Sequence, residues 1–119
     1  MKEKPLPIEV TKNEYIEILK VVKYMHHKVA FMLAFESGLR ISEVVNLQKA
    51  DIDEGLCQMR VNMGKNSKDR IVNLPLSWQT HLIKYIPIKC QQRALQKAFI
   101  KACEETGLKT RKPKIHFHS

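Results

Sequence analysis

Seven consecutive apolar residues, Val29 to Phe35, constrain this chain more than any other stretch. A helix carrying them is apolar on every face, so it has no side to offer water and belongs at the centre of the fold. Glu36 and Ser37 close the run. Gly38 then suits the position just past a helix end, where positive φ carries no Cβ penalty. Arg40 follows at once, and a short amphipathic segment runs on through Val44, Val45 and Leu47. The pattern is a helix stop, a cation held at a tight corner, and a helix start. Ser42 is expected to cap the new helix, with Glu43 in its first turn.

Elements are legible on both sides of this corner. Residues 1–10, with Pro5 and Pro7, read as an extended lead-in. Thr11 and Glu14 form a capping box, and Tyr15, Ile18, Leu19 and Val22 follow at helical spacing to about Tyr24. Met25, His26 and His27 are the expected joint to the central helix, so residues 11–53 are helical. Period-two alternation over Leu56 to Met63 predicts a strand, Gly64 to Lys68 a polar turn, and Arg70 to Leu74 a returning strand, a hairpin over 56–74. Residues 76–106 read as two helices. The first is capped by Ser77, with Leu82 and Tyr85 on one face, and ends at Pro87. The second runs from about Gln91 to Thr106, with Leu95, Phe99, Ala102 and Cys103 inward and Gly107 as its stop. Residues 107–119 are basic. The sum is a single α+β domain over 1–119, mainly α-helical with a small antiparallel β-hairpin or sheet.

Length and composition narrow the function classes. A domain of 119 residues buries roughly two-thirds of its unfolded surface, enough for a core without staples. No apolar run approaches the ~20 residues of a membrane span, and the N-terminus lacks the apolar core of a signal peptide, so a cytoplasmic protein is expected. Cys57, Cys90 and Cys103 are an odd, widely spaced set that argues against a disulfide framework or a zinc ribbon. With 21 Lys+Arg against 12 Asp+Glu the chain carries +9, which attracts polyanions, nucleic acid first and anionic membrane second. The positive charge gathers at 60–70 and 109–114, beside the candidate site residues, and favours nucleic acid.

Residue by residue, each candidate has two readings. Arg40 at a corner can offer its planar fork to a phosphate, or cap the carbonyls of the helix before it. Lys65 and Lys68 can reach a ligand from a hairpin tip, or line a solvated turn. His116 and His118 lack further Cys, Asp or Glu at ligand spacing, so no metal site is expected. His118 can equally have no role at all.

Taken together, these stretches resemble a known family. SGLRISEVVNLQKADID is similar to the first conserved box of the tyrosine recombinase (phage integrase) family, T-G-L-R-x-S-E-L-x-x-L-x-x-x-D-I. It matches at Gly38, Leu39, Arg40, Ser42, Glu43, Leu47, Asp51 and Ile52, with Ser37 for the usual Thr and Val44 for the usual Leu. The segment from Met63 to Pro75 resembles the family's hairpin, G-K-G-x-K-x-R-x-V-P-L. His118 resembles the leading histidine of the second box, H-x-L-R-H.

The resemblance implies the N-terminal part of the DNA breaking-rejoining catalytic fold, in which a tyrosine attacks a DNA phosphodiester and leaves a 3′-phosphotyrosyl link. It makes Arg40 half of the arginine clamp, Lys65 the proton donor to the leaving 5′ oxygen, and His118 an accessory. Glu43 then braces the site, and Lys68, Arg70, Lys112 and Lys114 contact the DNA backbone. Double-stranded DNA is the implied partner, with no metal, nucleotide or other small-molecule cofactor, and the implied location is cytoplasmic, at the nucleoid. The second arginine and the nucleophilic tyrosine of the pattern are not in this chain, and Tyr15, Tyr24 and Tyr85 read as scaffold. The chain is therefore expected to be a partial domain, inactive alone. Self-association is expected too, through recombinase subunits or through an apolar patch on Val29–Phe35 or on Leu95, Phe99 and Cys103. The alternatives are a non-enzymatic helix–turn–helix DNA binder and a natural truncated regulator of a recombinase.

Overall fold

Residues 10–61 and 69–108 are described by the computed structural model. They form α1 (Lys12–Val21), α2 (Met25–Ser37), α3 (Ile41–Asn46), strands β1 (Ile52–Asp53), β2 (Gln58–Val61) and β3 (Arg70–Asn73), and α4 (Gln92–Glu105). Short 3-10 turns lie at Lys49–Asp51 and Thr80–Tyr85. The fold is mostly helical with one small antiparallel sheet at its side.

α2 takes the central place its apolar run requires. Val29, Ala30, Phe31 and Leu33 are fully buried, and Met32, Ala34 and Phe35 pack against the same core. α1, α3, α4 and the Thr80–Tyr85 turn all touch it. α4 turns Leu95, Phe99, Ala102 and Cys103 inward, the set its periodicity predicts. Phe99 meets Phe31 at 6.1 Å and Phe35 at 6.0 Å between ring centroids, within the favourable range for tilted aromatic pairs. The two faces expected to stay open, Val29–Phe35 and Leu95/Phe99/Cys103, are thus both covered within one core. Large exposed apolar side chains lie elsewhere, among them Leu56, Ile71 and Leu76.

Local chemistry sets several boundaries. The Thr11–Glu14 capping box forms as expected: the Glu14 N–H donates to Thr11 Oγ1 at 3.1 Å and the Thr11 N–H to Glu14 Oε1 at 2.9 Å. The joint between the first two helices falls at Val22–Tyr24, so Met25, His26 and His27 already belong to α2. Gly38 takes φ 77° and ends α2, as its place in the sequence predicts.

The sheet order is β1-β2-β3, antiparallel throughout. The short strand β1 falls at the end of the stretch expected to be helical; it pairs Ile52 with Met59 and Asp53 with Gln58. β2 starts at Gln58 and not at Leu56, because Glu54–Cys57 is spent on a turn in which Cys57 takes φ 55°. In the hairpin, Met59 pairs with Val72 and Val61 with Arg70, so these four share the inner face, while Arg60 and Ile71 face out.

Residues 76–86 depart from the expected helix capped by Ser77. A 3-10 turn over Thr80–Tyr85 is all that forms, with Leu82 buried. Two long-range bonds fix the start of the segment first: the Ser77 N–H donates to Glu36 Oε1 at 2.9 Å, and the Trp78 indole N–H donates to Glu54 Oε2 at 2.7 Å. Pro87 biases Ile86 to extended backbone at the other end, which leaves too little chain for an α-helix.

Candidate active site

The corner between α2 and α3 is built from both sides. The Gly38 N–H donates to the Ala34 carbonyl at 3.2 Å and the Leu39 N–H to the Leu33 carbonyl at 3.3 Å, which closes the end of α2. Leu39 and Ile41 are buried in the core, and Arg40 between them is exposed. Two apolar plugs therefore fix the backbone of a residue whose guanidinium faces solvent. Arg40, and not Ser42, holds the N-cap position of α3, with φ −75° and ψ 157°. Glu43 supplies the missing side-chain cap in reverse, since its Oε1 accepts the Arg40 backbone N–H at 2.8 Å.

Glu43 is also the partner of Arg70. Arg70 Nη1 donates to Glu43 Oε2 at 2.9 Å and Nη2 donates to Oε1 at 3.2 Å, a forked pair. The Glu43 side chain is 10% exposed and that of Arg70 35%. Burial alone would raise the Glu43 carboxyl, but the Arg70 hydrogen bonds, the Arg40 N–H and the two positive charges outweigh it and hold it below its ordinary range. The carboxylate stays charged and fully engaged, which suits a brace and not a proton carrier.

Three further bonds anchor this corner to the rest of the domain. Glu36, in the last turn of α2, accepts the Tyr15 hydroxyl at 2.6 Å as well as the Ser77 N–H. Ser37 Oγ donates to the Asn73 carbonyl at 2.8 Å, joining the end of α2 to the end of β3.

Arg40, Glu43 and Arg70 are thus brought together. Lys65 and Lys68 lie outside the described residues, as do Lys112, Lys114 and His118. Arg70 was expected at the DNA backbone; its link to Glu43 was not foreseen. A signal for it existed, because Arg70 has the same strand parity as Val72 and Leu74 and so belongs to the inner face. On the outer face Arg60 lies 3.5 Å from Asp51 and 3.7 Å from Asp69. A groove of about 600 Å³ opens between Tyr24, His27 and the Lys97–Lys101 side of α4. It lies at the opposite end of α2 from Arg40 and, among the described residues, contains none of the expected site residues. Among the described residues no three His, Cys, Asp or Glu side chains cluster to hold a metal, and no helix is long and apolar enough to cross a membrane.

The family model described as the phage integrase family matches residues 9–90, which include the whole corner, the hairpin and the 3-10 turn. The chain belongs to the phage integrase family. Among its relatives in that family, the tyrosine recombinase XerA of Thermococcus onnurineus is 38% identical over 74 residues, covering 60% of this chain and 26% of that protein. A tyrosine recombinase of Thermosipho africanus is 43% identical over 65 residues, covering 55% of this chain and 23% of that protein. The chain spans about a quarter of the length of these curated relatives. A crystal structure of XerA recombinase superposes with a TM-score of 0.63 at 15% identity, over 87% of this chain and 45% of that one. That likeness shows the integrase-family fold.

Proposed function

We propose that this chain is the part of a site-specific tyrosine recombinase that binds double-stranded DNA and presents the first arginine of its phosphate site. The observation that carries this reading is the corner. Arg40 has a backbone fixed by Glu43 and by two buried neighbours, and an exposed fork that suits a phosphate. The net charge of +9 supports the same ligand. In this reading Arg40 stabilises the charge that develops on the scissile phosphate, a contribution worth about 3–4 kcal/mol of barrier for a well-placed donor. Lys65 donates the proton to the leaving 5′ oxygen, His118 assists, and Lys68, Lys112 and Lys114 contact the backbone. The chemistry calls for no metal or nucleotide.

None of the three tyrosines suits the nucleophile. Tyr15 is buried with its hydroxyl on Glu36. Tyr85 packs against the core, and its ring meets His26 at 5.2 Å between centroids. Tyr24 is exposed but sits at the far end of α2 from Arg40. These 119 residues alone are therefore expected to bind DNA without cutting it, and to associate with recombinase subunits at the nucleoid. A helix–turn–helix reader is disfavoured, because Asn46 alone of α3 is exposed and its other five positions are buried or half-buried.

Duplex binding measured across salt concentrations tests the reading. The logarithmic slope should be near −0.9 per phosphate contact, and Arg40→Ala should reduce its magnitude by about 0.9. An unchanged slope would place Arg40 in a structural corner only. A covalent adduct with a nicked suicide substrate would overturn the inactivity of the isolated chain.

A further inference from the structure

We propose that Arg70 is a positioning residue that fastens the root of the β2–β3 hairpin to the Arg40 corner through Glu43, and not a DNA contact. The proposal rests on the reading of Arg40 as a phosphate ligand. Strand geometry is the first argument. Arg70 opposes Val61 in the register and shares the inner face with Met59, Val61 and Val72, so its side chain leaves the strand toward Glu43 of α3 and is half-buried there. Its two terminal nitrogens then meet one carboxylate at 2.9 and 3.2 Å.

The second argument is what that carboxylate does besides. Glu43 Oε1 receives both Arg70 Nη2 and the Arg40 backbone N–H, the latter at 2.8 Å. One oxygen is therefore common to the root of the hairpin and to the first residue of the corner. Residues 40 and 70 are distant in sequence, yet their relative position is set by a half-buried ion pair with fork geometry, which resists swinging. The hairpin rooted at Val61 and Arg70 carries Lys65 in its connecting segment. Arg70 thereby fixes the root of β3 relative to the proposed phosphate ligand. A neutralised, inward-facing pair also releases no counterion when DNA binds, which separates this role from that of a backbone contact.

Three measurements on the full 119-residue chain and a duplex DNA probe decide the matter. First, Arg70→Gln should leave the salt slope of binding at its wild-type value. Second, in an NMR titration the Glu43 carboxyl should move upward in Arg70→Gln, and by less in Arg40→Ala, which loses one positive charge but keeps its backbone N–H and the Arg70 fork. Third, Arg40→Ala should weaken binding roughly tenfold in the wild type, the size of one charge-assisted contact, but less than about threefold in the Arg70→Gln background, where the corner is no longer held. Arg70→Lys, which keeps the charge and one bond, should restore part of the Arg40 effect and serves if Arg70→Gln does not fold. A slope reduced by about 0.9 in Arg70→Gln would make Arg70 a phosphate contact and overturn the proposal. So would an Arg40→Ala effect of equal size in both backgrounds. Failure of the underlying reading is seen in a different variant, as an unmoved slope in Arg40→Ala with Arg70 intact.

Discussion

Removing the Glu36 side chain should reveal how the end of α2 is held. Glu36 accepts two donors that come from opposite directions along the chain, the Tyr15 hydroxyl at 2.6 Å and the Ser77 N–H at 2.9 Å. In Glu36→Ala the two donors fare differently. Ser77 is exposed, so its N–H finds water at little cost. Tyr15 is 9% exposed, and leaving its buried hydroxyl without a partner costs about 1–3 kcal/mol. Tyr15→Phe removes the donor and frees a half-buried carboxylate that water can reach, at about 0.5–1.5 kcal/mol. The double variant contains no orphaned hydroxyl. It should therefore be less destabilised than the two single variants summed, by about 1 kcal/mol. Urea unfolding followed by the fluorescence of Trp78, the one tryptophan of the chain, reads all four proteins, with an unchanged m-value as the control. Additivity within about 0.3 kcal/mol would refute the reasoning.

The same pair predicts an alkaline limb. Burial first, then the Glu36 hydrogen bond and charge, push the Tyr15 phenol far above its ordinary 10.0. Above that value the unfolded chain releases a proton that the folded chain keeps, so stability falls as pH rises. The contribution is fully present below pH 10.0 and should be absent from the pH profile of Tyr15→Phe.

Two further substitutions test the frame of the site. Gly38→Ala meets no neighbouring atom within 4 Å, so its cost should be the backbone penalty of a left-handed alanine alone, about 1–2 kcal/mol by urea midpoint. A neutral result would mean that the corner relaxes out of φ 77°. Phe99→Ala should cost about 3–5 kcal/mol, a large part of the ~5–15 kcal/mol that holds a domain, whereas Phe99→Leu should cost clearly less. A loss below about 2 kcal/mol for the alanine variant would refute the central place given to the Phe31–Phe35–Phe99 cluster.

What could be read from the sequence was set by short-range chemistry. The capping box at Thr11 and Glu14, the left-handed Gly38 and the inward set of α4 each involve residues a few positions apart, so pattern and outcome coincide. The misreadings have one cause in common. Residues 76–86 depart from the expected helix because Glu36 and Glu54 reach them from 41 and 24 positions away. β1 forms only because Met59 and Gln58 lie beside it. Ser42 was a reasonable cap by propensity, but the plugs at Leu39 and Ile41 set the helix to begin after Arg40, and Glu43 completes the cap from inside. At the site, Arg40 and Glu43 were legible through the box they share, whereas the inward turn of Arg70 follows from a parity visible only once the strand is assigned.

The long reach of these ties also orders events while the chain is being made. α1 and α2 close on microsecond timescales once their residues are free, but synthesis proceeds at about 5–20 residues per second. Glu43 therefore waits about one to five seconds for the arrival of Arg70, which follows it by 27 positions. Ser77 reaches Glu36 later still, and Phe99 completes the aromatic cluster last. For that interval the most apolar helix of the protein is present without its cover. A nascent chain of this kind is open to chaperones, and to its neighbours on the same message, until its second half emerges.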